Sequence, residues 1–385
     1  MVEAPDDLTI AGPESTTART LMSRGLPALL ADLPGLPVPA QLRAGHHAVL
    51  SALREGLQRA PGAVWSVLRR VTVGTLIRCA RTRPTAGLVC ELDATLAAEL
   101  ALAGVLTTPI VSLAPPQFVC LSRRRAFTMG PGTLRCAAGE LSVRDASGER
   151  ILWSGEGGEP SHVAITDTLV LALVDNNPLA EVEGHPDKQG NALDLGGRSP
   201  DVWVAALREA LAIVERHMPA LRREIDVVLQ QVVPVGYDEQ RHLSASYQEA
   251  IGTIYLSLHP NPRTMAEALI HEFSHNKLHA LLERGAVLED AFAPLYASPV
   301  RPDPRPLHGV LLAVHAFLPV ALLYERMLVD DERPDLRARY QEIVAGNHEA
   351  AATLRAHARP TALGAPLLAE VDRWARHFSP VKIGG

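Results

Sequence analysis

The spacing of apolar and polar positions changes twice along the chain. Over the first 110 residues apolar side chains recur every three or four positions, as in HHAVLSALREGLQRA. This spacing predicts amphipathic helices. Between residues 117 and 153 apolar and polar positions alternate in short runs separated by GPG and ASG, which predicts an antiparallel β-meander. The apolar run VAITDTLVLALVD that follows predicts a buried strand.

The helical spacing returns near residue 200. It predicts one long helix over 201–231, a short strand at 253–258, and a helix MAEALIHEFSHNKLHALLE introduced by NPRT. A proline-rich link then leads into an apolar helix that ends near Leu328, and two more helices are predicted over 333–358 and 365–377.

These elements define the fold class that we predict, which is α+β and mostly helical. N-terminal helices precede a small central antiparallel meander, and a C-terminal helical region carries the remaining apolar helices. The predicted divisions are an N-terminal helical region over 1–115, the meander over 116–175 and the C-terminal region over 176–385.

Composition narrows the classes of protein. With 385 residues, of which 47% are hydrophobic and 21% charged, the chain can bury a sizeable core. A net charge of -6 argues against nucleic-acid binding driven by phosphate neutralisation. No uninterrupted apolar stretch reaches the roughly 18 residues of a membrane span, and the start lacks a signal-peptide pattern. Four cysteines without a CxxC pair favour a cytoplasmic protein with reduced thiols.

The histidines are the candidate functional residues. The chain has 15 histidines, and five of them fall between residues 271 and 315. His271, Glu272 and His275 form an HExxH motif within the predicted helix. Because residues four apart share a helix face, both imidazoles can bind one metal ion, with Glu272 beside it. A metal site is therefore favoured over two histidines that merely form hydrogen bonds in a core.

Two histidines need a third ligand from elsewhere in the chain. The metzincin arrangement is excluded because Leu278 and Leu281 stand where a glycine and a histidine are required. A thermolysin-like site would use a later glutamate, for which Glu289 and Glu325 are the candidates.

Two later histidines are the more attractive third ligands. His308 and His315 lie seven residues apart and so face the same side of one helix. We favour His308, at the helix entry, over His315. His279 continues the motif face by one turn, and we interpret it as pocket lining.

The amino-acid sequence around the motif resembles that of a known family. AEALIHEFSHNKLHALL, followed by RPDPRPLHGVLLAVHAFLPVA, is similar to the HExxH-type peptide β-hydroxylases of ribosomal-peptide natural-product clusters. DNNPLAEVEGHPDKQGNALDLGG and PVGYDEQRHLSASYQEAIGTIYLS extend the resemblance over about residues 175–325. The resemblance implies an Fe(II)- and 2-oxoglutarate-dependent dioxygenase that hydroxylates the β-carbon of residues in a precursor peptide. A radical-SAM maturase is an expected pathway partner.

The resemblance also implies site roles. His271 and His275 would be iron ligands, and Glu272 would orient a ligand histidine or a peptide amide. Lys277, Arg305 and, less favoured, Arg301 are candidates for the remote carboxylate of 2-oxoglutarate, which needs a firm cation.

Two alternatives to these assignments stay open. A zinc peptidase would use Glu272 as the base that takes a proton from water. A non-enzymatic peptide-binding domain would hold a closed, structural metal site.

The polar loop that contains His185, Asp187, Lys188 and Asn191 is expected to border the site, and Ser244 and Ser246 to line the same cleft.

Overall fold

The structure is a computed structural model that describes residues 7–180, 184–185, 188–298 and 301–378. Helices make up 53% of it and strands 17%, so the predicted mostly helical α+β class is confirmed at that level. The described α-helices are α1 Thr17–Asp32, α2 Arg43–Arg59, α3 Pro61–Arg69, α4 Val71–Thr82, α5 Ala86–Leu102, α6 Pro200–His217, α7 Pro219–Val228, α8 Pro262–Leu282, α9 Leu307–Asp330, α10 Pro334–His357 and α11 Gly364–His377.

The described strands are mostly short. They are β1 Ile110–Leu113, β2 Gln117–Cys120, β3 Arg125–Thr128, β4 Thr133–Ala137, β5 Glu140–Asp145, β6 Gly148–Trp153, β7 Glu159–Pro160, β8 His162–Ala164, β9 Val170–Ala172, β10 Gly184–His185, β11 Lys188–Gln189, β12 Gln231–Tyr237, β13 Ser244–Ala245, β14 Thr253–Leu258, β15 Leu295–Ser298 and β16 Arg301–Pro306.

The predicted meander is confirmed by two antiparallel sheets. One has the order β1-β4-β5-β6 and the other the order β2-β3-β7. A third sheet was not predicted as a unit. Its order is β13-β14-β12-β9-β8, and β12 runs parallel to both β14 and β9 while β13 and β8 pair antiparallel at the edges. The second half of the chain therefore combines helices with a small mixed sheet.

The single long helix predicted over 201–231 is wrong. The structure has α6 and α7 instead, separated at Met218, whose backbone is not helical. Pro219 explains the break, because proline has no N–H and disfavours helical geometry in the residue before it. From Gln231 the chain is already strand β12.

Two large hydrophobic clusters organise the core. One joins the end of α1 and helices α2–α5 to the meander, over residues 29–153. The other joins residues 8–21 to the mixed sheet and to helices α6–α11. The N-terminal segment thus packs with the C-terminal helices, and the three predicted divisions of the chain stay a prediction.

Helix α9 is long and apolar enough to cross a membrane by length and composition alone, and it is the one described helix that passes this test. However, 78% of its most apolar window is buried inside the protein, as in the core helix of a soluble protein. The predicted cytoplasmic location stays a prediction.

Helix α8 is fixed directly against the mixed sheet. Strand β14 is buried at every position, and Asn261 then caps α8 by accepting a hydrogen bond from the Arg263 backbone N–H at 3.0 Å. Further along α8, the side-chain oxygen Oδ1 of Asn276 accepts a hydrogen bond from the Gly252 backbone N–H at 2.6 Å. The side-chain nitrogen Nδ2 of Asn276 donates to the Thr253 backbone carbonyl oxygen at 3.3 Å. The orientation of α8 is therefore tied to the first residue of β14.

A buried ion pair holds the opposite side of α8. Lys277 Nζ lies 2.6 Å from Glu224 Oε2 on α7 and donates to the Asp7 carbonyl oxygen at 2.8 Å. The two side chains are only 1% and 5% exposed. Ser15 donates to the other Glu224 oxygen at 2.7 Å, so the pair also holds the N-terminal segment.

Removal of this lysine charge tests how much the fold depends on the pair. Lys277→Met keeps an unbranched side chain but leaves the Glu224 carboxylate buried without its cation, which costs about 3–5 kcal/mol. We expect the free energy of unfolding, measured with urea, to fall by about that amount. The double variant Lys277→Met/Glu224→Leu should recover most of the loss. As a control, Arg355→Ala removes an exposed pair with Asp372 and should cost less than about 1 kcal/mol.

A second set of buried acids lies between α5 and the loop after β9. Burial raises the pKa of Glu91 to about 7, with a further increase from the nearby Asp175 charge. Burial also raises the pKa of Asp175 to about 6, although Tyr255 donates a hydrogen bond to it at 2.7 Å. Both acids are therefore harder to ionise in the folded protein than in the unfolded chain.

The sign of the pH dependence follows from Glu91. Between its usual pKa of 4.5 and the folded value of about 7, the folded state binds more protons than the unfolded state. Stability should therefore fall as the pH rises through this window. We expect Glu91→Gln to lose less stability between pH 5 and pH 8 than the unsubstituted protein, measured by thermal unfolding. Glu349→Gln, at an exposed position on α10, should leave the dependence unchanged; an equal effect of both variants would contradict the assignment.

Candidate metal centre

The HExxH residues lie together in the middle of α8. The candidate ligand atoms of His271, Glu272 and His275 all lie within 4.8 Å of one another. Across residues 7–180, 184–185, 188–298 and 301–378, no other three histidine, cysteine, aspartate or glutamate side chains meet that condition. The helix thus brings together the motif residues that the sequence singled out.

The motif side chains are held in defined orientations. His271 Nδ1 lies 3.0 Å from Glu272 Oε1, and the His271 and His275 rings stand nearly perpendicular with centroids 4.4 Å apart. Phe317 of α9 packs on His271 at a centroid distance of 4.8 Å. The His271 side chain is 23% exposed while that of Glu272 is 2% exposed, so the group is reached from the His271 side.

The group contains polar atoms whose hydrogen-bonding capacity is unused. Glu272 Oε2 and His275 Nδ1 are buried and have no hydrogen-bond partner. Burial holds the pKa of His275 well below its usual value, with a contribution from His271. A neutral imidazole and an ionised carboxylate are the forms that bind a metal ion. A divalent cation fits this donor set.

Glu272 is ionised despite its burial. Burial alone would raise its pKa, but the hydrogen bond with His271 and electrostatic contributions from His271, His275 and Ser244 hold the pKa at about 2. Ser244 belongs to the edge strand β13, and that it lines a cleft at the site stays a prediction. Ser246 Oγ, two residues on, is buried without a partner.

The structure does not bring the predicted third ligands into this group. His315 Nε2 lies 3.1 Å from the Leu8 carbonyl oxygen, on the buried side of α9. His308 packs against the Phe292 ring at a centroid distance of 5.2 Å, and its charge acts on His279. The His279 ring stacks 6.4 Å from that of His275. The choice between His308 and His315 stays a prediction.

Two of the three predicted carboxylate-binding cations are paired with carboxylates of the protein itself. Lys277 points to Glu224, and binding a carboxylate would require that buried pair to separate. Arg305 is partly exposed and pairs with Asp303 at 2.9 Å. The side chain of Arg301 lies outside the described part of the structure. These three assignments stay predictions.

The predicted polar loop is only partly described. Asp187 lies outside the described residues, as do the side chains of His185 and Lys188. Asn191 is buried and donates to the Tyr247 hydroxyl oxygen at 2.6 Å. This contact places the end of the loop near Tyr247, which follows β13.

The sequence analysis did not identify His242, Glu267 and Arg339 as residues in the surroundings of the group. His242 precedes β13, and its electrostatic neighbours include Glu272 and His271. Glu267, one turn before His271, accepts hydrogen bonds from Tyr324 and Arg339. Neither His242 nor Arg339 has a spacing relationship to the motif, so nothing in the linear pattern points to them.

A cavity adjoins the group through Phe317. It has a volume of about 260 Å³ and lies between α9 and α10. Phe317, Arg339 and Asn347 line it, and the Asn347 amide nitrogen is buried without a partner. There is room for part of an organic ligand beside Phe317, which in turn contacts His271.

Comparison with known proteins adds no assignment. No protein-family model matches the chain. No curated protein matches it either. The fold and the group on α8 therefore define the protein as a mostly helical α+β chain with a candidate metal centre.

Metal titration tests the group. We expect one Co(II) or Fe(II) ion to bind per chain without oxygen, and His271→Ala and His275→Ala each to weaken binding by at least about 100-fold, because each removes a direct ligand. Calorimetry and metal content after desalting measure the effect. His47→Ala changes an exposed histidine on α2 and serves as the control. Full metal content in both motif variants would rule out the site.

Proposed function

We propose that this chain is an Fe(II)- and 2-oxoglutarate-dependent oxygenase that hydroxylates the β-carbon of residues in a ribosomally made precursor peptide. The observation that carries the proposal is the grouping of His271, Glu272 and His275 on one helix, with unpartnered buried atoms and access from the His271 side. The resemblance of residues 175–325 to HExxH-type peptide β-hydroxylases supports this class over other metal chemistry. A radical-SAM maturase acting on the same precursor belongs to the proposal as a pathway partner.

In this proposal His271 and His275 hold the iron. Bound Fe(II) with 2-oxoglutarate supplies dioxygen activation for attack on an unactivated C–H bond. Glu272 accepts a hydrogen bond from His271 Nδ1 and so orients that ring, as outer carboxylates do for metal-binding histidines. Phe317 packs on the same ring and limits its rotation.

The co-substrate and the peptide need separate contacts. Arg305 is the cation we retain for the remote carboxylate of 2-oxoglutarate, because its pair with Asp303 is partly exposed and can exchange partners. The cavity beside Phe317 offers space for a substrate side chain, and Phe317 itself contacts His271. Burial of Glu272 and of the Nδ1 atom of His275 keeps bulk water away from the inner side of the group.

A zinc-dependent peptidase is the alternative. The observation that favours it is the free Glu272 Oε2 beside two imidazoles, since a carboxylate in this position can accept a proton from an attacking water. In that case Glu272 takes part in the chemistry, whereas in the oxygenase it positions His271.

The two functions differ in what they require. With the protein purified without oxygen, Fe(II) and 2-oxoglutarate together should give a visible charge-transfer absorption that His271→Ala abolishes. After air is admitted with short precursor peptides encoded near the gene, we expect succinate and a peptide mass gain of one oxygen atom. The His47→Ala variant should behave as the unsubstituted protein does.

Glu272→Gln separates the alternatives further. For the oxygenase we expect retained iron and reduced hydroxylation, because the amide can still form a hydrogen bond with His271. Peptide cleavage with zinc and no requirement for 2-oxoglutarate, lost completely in Glu272→Gln, would replace the oxygenase by the peptidase.

A further inference from the structure

The group on α8 is one protein ligand short of a usual catalytic metal site. His271 and His275 supply two imidazoles, and such sites commonly have three protein ligands and leave the other positions open. His279 cannot complete the set on the same helix, because eight residues separate it from His271 by about 12 Å along the axis. The third ligand must come from another element.

Strand β13 passes beside the group at the edge of the mixed sheet. It pairs with β14 through Ser244 and Leu256, and α8 packs against it. Ser244 is close enough to Glu272 to help lower the pKa of that carboxyl. Leu243 is fixed as well, since its N–H donates to Ser257 Oγ and its carbonyl accepts from the Ser257 N–H, both at 2.8 Å.

His242 lies at the start of this fixed segment. Its electrostatic neighbours include Glu272 and His271, but its nitrogens are not among the ligand atoms that lie within 4.8 Å of one another, so the ring has to turn toward α8 to bind the same ion. Its Nε2 atom is buried and has no hydrogen-bond partner. Its Nδ1 atom lies 3.4 Å from Ser257 Oγ, which directs the ring from the sheet side.

The chemistry of His242 suits a metal ligand. Its Nε2 atom is buried without a hydrogen-bond partner, and in the tautomer protonated at Nδ1 this atom offers a free lone pair. Metal-binding histidines usually donate their second N–H to a nearby oxygen, which fixes the tautomer. Ser257 Oγ can accept a hydrogen bond from the His242 Nδ1–H, and the Nε2 lone pair is then left for the metal.

We propose that His242 is the third imidazole ligand of the metal centre formed by His271 and His275. This inference rests on the proposed metal-dependent function. It places the third ligand on the sheet edge before β13, in preference to His308 and His315. The metal would then link the edge of the mixed sheet to helix α8.

Metal binding without substrate tests this inference separately from the reaction. In Co(II) titrations of the full chain, His242→Ala should weaken binding by at least about 100-fold, beyond the 10–100-fold typical of an outer hydrogen-bonding partner. His308→Ala and His315→Ala should each change the affinity by less than threefold. Circular dichroism and urea unfolding of the metal-free variants check that the fold is retained.

A second variant gives a positive signal. His242→Cys places a thiolate at the same position, and bound Co(II) should then show an intense sulfur-to-cobalt charge-transfer absorption that the unsubstituted protein and His308→Cys lack. Absence of this band, or full Co(II) affinity in His242→Ala, would overturn the inference. If the unsubstituted protein binds Co(II) and forms succinate while His242→Ala keeps its affinity, only the His242 inference fails. If the unsubstituted protein binds no metal, the proposed function fails with it.

Discussion

Helix α8 is buried on most of its surface although it carries many polar side chains, and the fold depends on the partners that Asn276 and Lys277 find. A buried polar group without a partner costs free energy comparable to a lost hydrogen bond or more. Asn276 meets this requirement with the backbone of Gly252 and Thr253, and Lys277 meets it with Glu224 and Asp7. The mixed sheet, α7 and the N-terminal segment are thereby held around one helix.

The two sides of α8 differ in the partners that their polar groups have. On the Lys277 side the lysine is paired with Glu224, and His315 of α9 contacts the Leu8 carbonyl oxygen through Nε2 although its Nδ1 atom has no hydrogen-bond partner. On the motif side Glu272 Oε2 and His275 Nδ1 find none, and His242 Nε2 nearby is equally unpartnered. Because unpaired buried atoms concentrate beside two imidazoles, a bound cation is the simplest physical way to satisfy them. The rigid side of the helix then serves to position the reactive side.

The proposed oxygenase and the alternative peptidase share this arrangement and differ in what Glu272 does. As an orienting group it needs only its contact with His271, and as a base it needs its free oxygen directed at water. The cavity beside Phe317 suits either substrate, since both functions act on a peptide that must reach His271. Metal identity and the role of 2-oxoglutarate therefore distinguish the functions more sharply than the geometry of the peptide site.

Local pattern was sufficient for the helical and meander segments and for the shared face of His271 and His275, because these depend on neighbours within a few residues. It failed at Met218, where the apolar spacing continues across a helix break that Pro219 causes. It also did not show that β12 pairs parallel with β9 and β14, which depends on long-range contacts. The residues around the motif likewise divide into those that local spacing identifies and those that only long-range contacts place. The spacing of the histidines identified the pair on α8, whereas only the tertiary structure placed Lys277 against Glu224 and His242 beside Glu272, since these residues are separated by 53 and 30 positions in the chain.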